Sequence, residues 1–260
     1  MLKSLTTAGA LTLAVASLPA AATIVEFETV LGNIQVNLYD ESTPETVENF
    51  LAYVEAGSYD GSFIHRSIPN FIVQGGGFAY DQEEKKSVKI DTESAVANEP
   101  EWSNRKGTIA MAKVGDNPNS ATSQWFFNLD NNHTNLDVQN GGFTVFGEVI
   151  SGMDIVEDIA DLPRFNLGGA YTSLPLRNYG EEEIEDEQSI SPDNLVSILS
   201  ITVIDDSENS AADLEPVPNT LIDEVGQGGG GDSSSSGALG LPWILALMGL
   251  GIARRFRRAR

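Results

Sequence analysis

The sequence predicts a mainly β protein: a closed eight-stranded antiparallel barrel capped by two α-helices. Three observations carry this prediction. Apolar and polar residues alternate along several short runs, the period of a half-buried strand. Only two stretches, near residues 43–57 and 151–160, switch to helical spacing. Roughly eight strands and two helices over residues 23–204 suit a barrel whose helices cover its ends. A barrel of that size fills its interior with side chains, so a substrate must bind on its outer wall.

In chain order, "TIVEFETVLGNIQVNLYD" gives two alternating runs broken at Leu31-Gly32-Asn33, a β-hairpin. In "STPETVENFLAYVEAGSYDG", Thr43 suits an N-cap and Pro44 the first helical position. Val47, Phe50, Leu51 and Val54 share one face, and Gly57 stands where a C-terminal glycine belongs. This is an amphipathic helix laid across a sheet. Further strands are expected over 63–66, 71–74, 108–112, 124–128 and 143–149, then a helix at 151–160 with Val156 and Ile159 inward. "NLVSILSITVI" supplies the last strand, at 194–204.

The two ends read differently from this domain. Residues 1–22 have a basic start, an apolar run and an Ala-rich close, the pattern of a secretory signal peptide cut before Thr23. Residues 205–237 combine acids, prolines, "GQGGGG" and "DSSSS" and read as a flexible linker. Residues 238–253 carry no charge and are expected to form a short hydrophobic helix; residues 254–260 hold five arginines and form a basic cytoplasmic end. Sixteen helical residues span only about 24 Å, short for a hydrocarbon layer of about 30 Å. This tail resembles the Gly-Gly C-terminal sorting signals of Gram-negative bacteria. That resemblance implies transient anchoring in the inner membrane, a rhomboid-type sorting protease as partner, and a final place in the periplasm or at the cell surface.

Composition excludes several function classes. With no cysteine there is neither a disulfide framework nor thiol chemistry. Between residues 23 and 237, 9 basic residues face 38 acidic ones, a net of −29, which excludes nucleic acid and anionic lipid surfaces as partners of the body. The long loop at 161–193 includes "EEEIEDE" but lacks the spaced pattern of a calcium loop, so it is expected as a solvated acidic loop. His65 and His133 lie far apart and do not suggest a metal site; no cofactor is expected.

"FIHRSIPNFIVQGGGF", residues 63–78, places an arginine and a glutamine where a purely structural strand pair would carry Val, Ile and Thr. It resembles the cyclophilin signature Phe-His-Arg-x-Ile-Pro-x-Phe-x-x-Gln-Gly-Gly-x-Phe, with one shifted residue at Ile64. "GTIAMAK" with "SATSQWFFN", and "NLDVQNGGFTVFGEV", resemble two further family blocks in the same order. The resemblance covers about residues 23–204 and implies peptidyl-prolyl cis-trans isomerase activity on proline-containing unfolded or extended polypeptides. A non-catalytic proline-peptide module or chaperone on the same fold is the alternative.

The chemistry suits these residue types. The barrier to X-Pro rotation is about 18–20 kcal/mol because the C–N bond has partial double-bond character. Lowering it requires a site that binds the twisted bond better than either planar form. Arg66, always charged and rich in donors, is the expected catalytic residue, since it favours the lone pair that develops on the prolyl nitrogen. The resemblance further implies Phe71, Ile72, Phe126 and Leu136 as walls of a proline pocket, with Phe143 at its rim. Gln74, eight positions on, is expected to hold the substrate's backbone or carbonyl oxygen and to position Arg66; the resemblance implies Gln124 and Ala112 as contacts to the substrate backbone, and His65 as a supporting, structural neighbour. Asn135 stands where many relatives carry an aromatic, Ile72 where a methionine is frequent, and Trp125 where a phenylalanine is usual.

Overall fold

The computed structural model describes residues 23–186, 188–207 and 214–227. The predicted signal peptide, the hydrophobic helix at 238–253 and the basic end lie outside these residues.

The hairpin of β1 (Ile24–Thr29) and β2 (Gly32–Leu38) forms as read. Thr29 tightens its turn, accepting from the Leu31 and Gly32 amides and donating to the Gly32 carbonyl at 2.7 Å. Helix α1 (Pro44–Glu55) begins at the expected proline and buries Val47, Phe50, Tyr53 and Val54. Thr43 does not cap it with its side chain; the Glu99 carboxylate, from a distant loop, accepts the Glu45 and Thr46 amides instead. A carboxylate there satisfies orphan donors and meets the positive end of the helix dipole.

Strands β3 (Arg66–Ile68), β4 (Ile72–Gly75), β7 (Thr108–Met111), β8 (Trp125–Asn128), β9 (Val145–Ser151) and β12 (Ile198–Asp205) complete one antiparallel sheet. Its order is β12-β1-β2-β9-β7-β8-β4-β3. Two small two-stranded sheets stand apart: β5 (Phe78–Asp81) with β6 (Lys86–Lys89), and β10 (Arg164–Phe165) with β11 (Leu174–Pro175).

The expected closed barrel is corrected to an open one. Terminal strands β3 and β12 share no ladder. A single bridge, Phe63 to Ser197, spans the seam with the bonds Ile64 N to Val196 O (2.9 Å) and Ile198 N to Ser62 O (2.8 Å). The reason lies at Ser67, whose amide donates to Ser173 O at 2.8 Å while its carbonyl accepts from Ser173 Oγ at 2.5 Å. The long loop after α3 (Met153–Asp161) thus occupies the edge of β3 that closure would need.

The expectation of two helices also needs correction. Besides α1 and α3, the described residues hold three short helices: α2 (His133–Leu136), α4 (Glu181–Glu185) and α5 (Leu221–Gln227). Nor is the whole of 205–237 a free linker. Residues 214–222 lie on the body, where Pro218 forms a β-bridge with Trp102 and Leu214 packs against the outer apolar cluster that includes Tyr39 and Ile72. The segment 161–193 is likewise anchored in its first half. Tyr171 packs on Phe63 and Phe78 at ring separations of 6.2 and 5.1 Å, beside Leu174, Leu176 and Leu195.

Alternation along the strands sorts side chains between two faces. Val73, Ile109, Met111, Trp125 and Phe127 point into the barrel, where they meet Phe27, Phe50 and Phe146. Ile72, Ala110, Ala112 and Phe126 point out, into a second apolar cluster with Leu136 and Phe143. The direction of Trp125 is therefore inward: it is fully buried, edge-on to Phe27 at 5.1 Å. That outer cluster positions the site.

Candidate functional site

A cleft of about 660 Å³ lies on the outer face of β3, β4, β7 and β8. Every residue expected at the site lines it: His65, Arg66, Phe71, Ile72, Gln74, Ala112, Gln124, Phe126, Leu136 and Phe143. Asn135 lines it as well.

The polar side is a relay built on strand register. Arg66 and Gln74 are paired across β3 and β4, and Gln74 is paired with Phe126 across β4 and β8. Arg66 Nη1 donates to Gln74 Oε1 at 3.1 Å, and Gln74 Nε2 donates to Gln124 Oε1 at 2.9 Å. Gln74 is buried, so its amide is fixed at both ends. Burial pushes the Arg66 pKa down from its ordinary value, yet an arginine remains a cation at any physiological pH. His65 is buried and its pKa is depressed to about 3, by desolvation first and by the Arg66 charge second. It is neutral in the folded protein and packs edge-on to Phe78 at 5.0 Å.

The glycines after Gln74 answer to close packing. A Cβ on Gly75 would stand 2.7 Å from the Trp125 ring, and one on Gly77 would stand 2.8 Å from the Gln124 side chain. Gly76, at φ +75°, would place a Cβ 2.5 Å from Ser123 O, so both conformation and space demand glycine. These glycines let the chain pass against the two residues that shape core and cleft.

The apolar side is held from loops. Phe126 and Phe143 meet edge-to-face with centroids 5.8 Å apart. Phe143 is set by a turn in which its amide donates to Leu136 O at 2.8 Å. Sequence reasoning missed the residue that pins this turn, Lys113. Its Nζ donates to Asn98 Oδ1, Asn140 O and Gly142 O, and lies 4.8 Å from the Phe143 ring centre. Desolvation lowers its pKa to about 8. A lysine in "MAKVG" reads as solvent-facing; the only signal was the apolar run just before it. Gly169, Ala170, Thr172 and Ser173 also line the cleft, brought there by the Ser67–Ser173 bonds.

The arrangement sets the Arg66 cation and its Gln74–Gln124 relay beside an apolar slot. Among the described residues no cluster of three or more His, Cys, Asp or Glu is arranged to hold a metal ion. His133 sits instead at the start of α2, its Nδ1 3.2 Å from Arg105 Nη1.

Comparison with known proteins bears on this geometry. The family model described as cyclophilin type peptidyl-prolyl cis-trans isomerase/CLD matches residues 24–190. A peptidyl-prolyl cis-trans isomerase of Acinetobacter baylyi is 43% identical over 150 residues, covering 56% of this chain and 76% of that protein. The isomerase cyp18 of Streptomyces antibioticus is 43% identical over 141 residues, covering 52% of this chain and 81% of its own. Peptidyl-prolyl cis-trans isomerase B of Escherichia coli is 39% identical over 142 residues, with coverages of 52% and 83%.

Proposed function

This chain belongs to the cyclophilin-type peptidyl-prolyl cis-trans isomerases, and on that premise we propose that Arg66 supplies the catalysis, acting on X-Pro bonds of exported polypeptides. The observation that carries this reading is the Arg66–Gln74–Gln124 relay on the rim of an apolar slot.

In the planar imide the prolyl nitrogen lone pair is delocalised. As the bond twists, conjugation breaks and that nitrogen becomes a hydrogen-bond acceptor. A donor cation already in place stabilises the twisted form and leaves the planar ground states unassisted, which lowers the barrier. Gln74 holds the guanidinium by accepting from Nη1, and Gln124 holds Gln74. The proline ring enters the slot between Phe126, Leu136 and Phe143, with Phe71, Ile72 and Ala112 completing the walls. Burial of the apolar ring supplies binding energy that the rotating bond itself does not. His65, neutral and packed behind Arg66, supports the relay and transfers no proton.

The proposed place of action rests on the sequence alone. The signal-like residues 1–22 support export, and the apolar segment with its arginine-rich end supports transient membrane anchoring before a rhomboid-type protease cuts near the glycines. Among the described residues no helix is long and apolar enough to cross a membrane. Uncatalysed X-Pro isomerisation takes tens to hundreds of seconds, slow enough to limit folding, and this catalysis consumes no ATP.

The test is NMR exchange on a short Xaa-Pro peptide with wild type and Arg66→Ala. Losing one preorganised donor is expected to lower kcat/KM by about 10²–10³ with the fold retained. Activity within about threefold of wild type would remove Arg66 as the catalyst. Peptide binding by the wild type without faster exchange would favour the non-catalytic binding module.

A further inference from the structure

Residues 214–220 lie outside the span 24–190 that the family shares, yet they are built into the back of the cleft. Ser103 N donates to Val217 O and Asn219 N donates to Glu101 O, both at 2.8 Å, on either side of the Trp102–Pro218 bridge. The segment thus adds a short strand to residues 101–103. At its end Asn219, only 5% exposed, donates from Nδ2 to Asp137 O at 2.9 Å and accepts from Ile222 N at 3.2 Å.

Asp137 directly follows the pocket wall Leu136. Its buried carboxylate accepts from Ser103 Oγ (2.6 Å), Asn104 N (2.7 Å) and Asn104 Nδ2 (3.0 Å), all neighbours of the strand that the segment extends. Asn104 Nδ2 also reaches Phe143 O at 3.2 Å. From Asn104 the network continues through Asn128 and Asn132 to Phe71 O, so it touches the backbone of two pocket walls and the residue after a third. Contact with the rim is tight: a Cβ on Gly142 would stand 2.8 Å from Asp137 O and 3.4 Å from Asn219 Nδ2.

From this geometry we infer that the C-terminal segment 214–220 is a strap that sets the proline pocket, with Asn219 as its positioning residue acting through Asp137 on the turn between Leu136 and Phe143. Asn219 does not line the cleft, so its effect reaches substrate only through that turn. The inference rests on the reading of Leu136 and Phe143 as pocket walls. A buried polar group that loses its partner strains the unit it belongs to, and here that unit is the turn carrying Phe143.

The test uses the full chain with Asn219→Asp, which keeps size and the acceptor for Ile222 but removes the donor to Asp137 O. Phe143→Ala serves as reference. NMR exchange over a range of Xaa-Pro peptide concentrations separates KM from kcat. Asn219→Asp is expected to raise KM about threefold to tenfold while kcat stays within about twofold. Amide hydrogen exchange at Phe143 should quicken while that of Val36, on β2 and outside the cleft, does not change. If Phe143→Ala raises KM and Asn219→Asp does not, the strap inference is overturned and the pocket reading stands. If Phe143→Ala leaves KM unchanged, the pocket reading falls and takes the inference with it. Should Asn219→Asp lower stability overall, equal quickening at Phe143 and Val36 would mark a merely structural role and overturn the inference.

Discussion

Arg66 and Gln74 stand opposite each other in the β3–β4 ladder, and the guanidinium Nη1 donates to the amide Oε1 at 3.1 Å. Because Gln74 Nε2 is committed to Gln124, the amide cannot flip without breaking both bonds. Gln74 therefore aims the arginine rather than merely neighbouring it. Gln74→Leu should lower kcat/KM by about tenfold to a hundredfold, the range for a hydrogen bond to a charged group. Peptide exchange by NMR checks this; unchanged kcat/KM would show that Arg66 finds its direction without Gln74.

His65 makes stability acid-sensitive. Its folded pKa is near 3, below the unfolded value of 6.5, so between those values the unfolded chain binds more protons. Stability from this group is present above about pH 6.5 and is lost as pH falls toward 3, at up to about 1.4 kcal/mol per pH unit. Urea melts of wild type and His65→Gln at pH 4–7 should converge as the pH falls. A pH-independent difference would mean that His65 is not held neutral. Activity should show no ionisation from His65 between pH 5 and 7.

Lys113 clamps the turn before Phe143 through three acceptors. Lys113→Met leaves those acceptors short of a donor, at a cost of about 1–3 kcal/mol in urea unfolding. The sign with pH is opposite to intuition for a cation. Its folded pKa, about 8, lies below the ordinary 10.5, so the unfolded chain binds more protons between those values and wild type gains stability as pH rises through that window. Lys113→Met should lack this gain; an identical pH dependence in both proteins would count against a desolvated ammonium.

The site was more legible than the fold that carries it. Arg66 and Gln74 face each other in one hairpin and Ile72, two residues before Gln74, shares their face by alternation, whereas the pocket roles of Phe71 and Ile72 come from the family resemblance. Gln124, the residue before β8, and Phe126 on it follow the same alternation. Closure of the barrel was not legible, because it depends on what lies beside β3, and that is Ser173, more than a hundred positions away. Asn219 escaped for a different reason. Its surroundings are acidic and proline-rich, and composition cannot distinguish a tether from a strand held by two backbone bonds. Apolar Leu214, Val217, Leu221 and Ile222 among the acids were the available signal.

The place of β1 between β2 and β12 has a consequence for how this molecule comes into being. Ile24 faces Asn37 on one side and Asp205 on the other, so one edge of the first strand stays unpaired until nearly the whole domain has been synthesised. Non-local pairing of this kind slows folding, and a bare apolar edge invites association with other nascent chains. A prolyl isomerase built this way completes its own sheet late, so its first strand waits longest for its second partner.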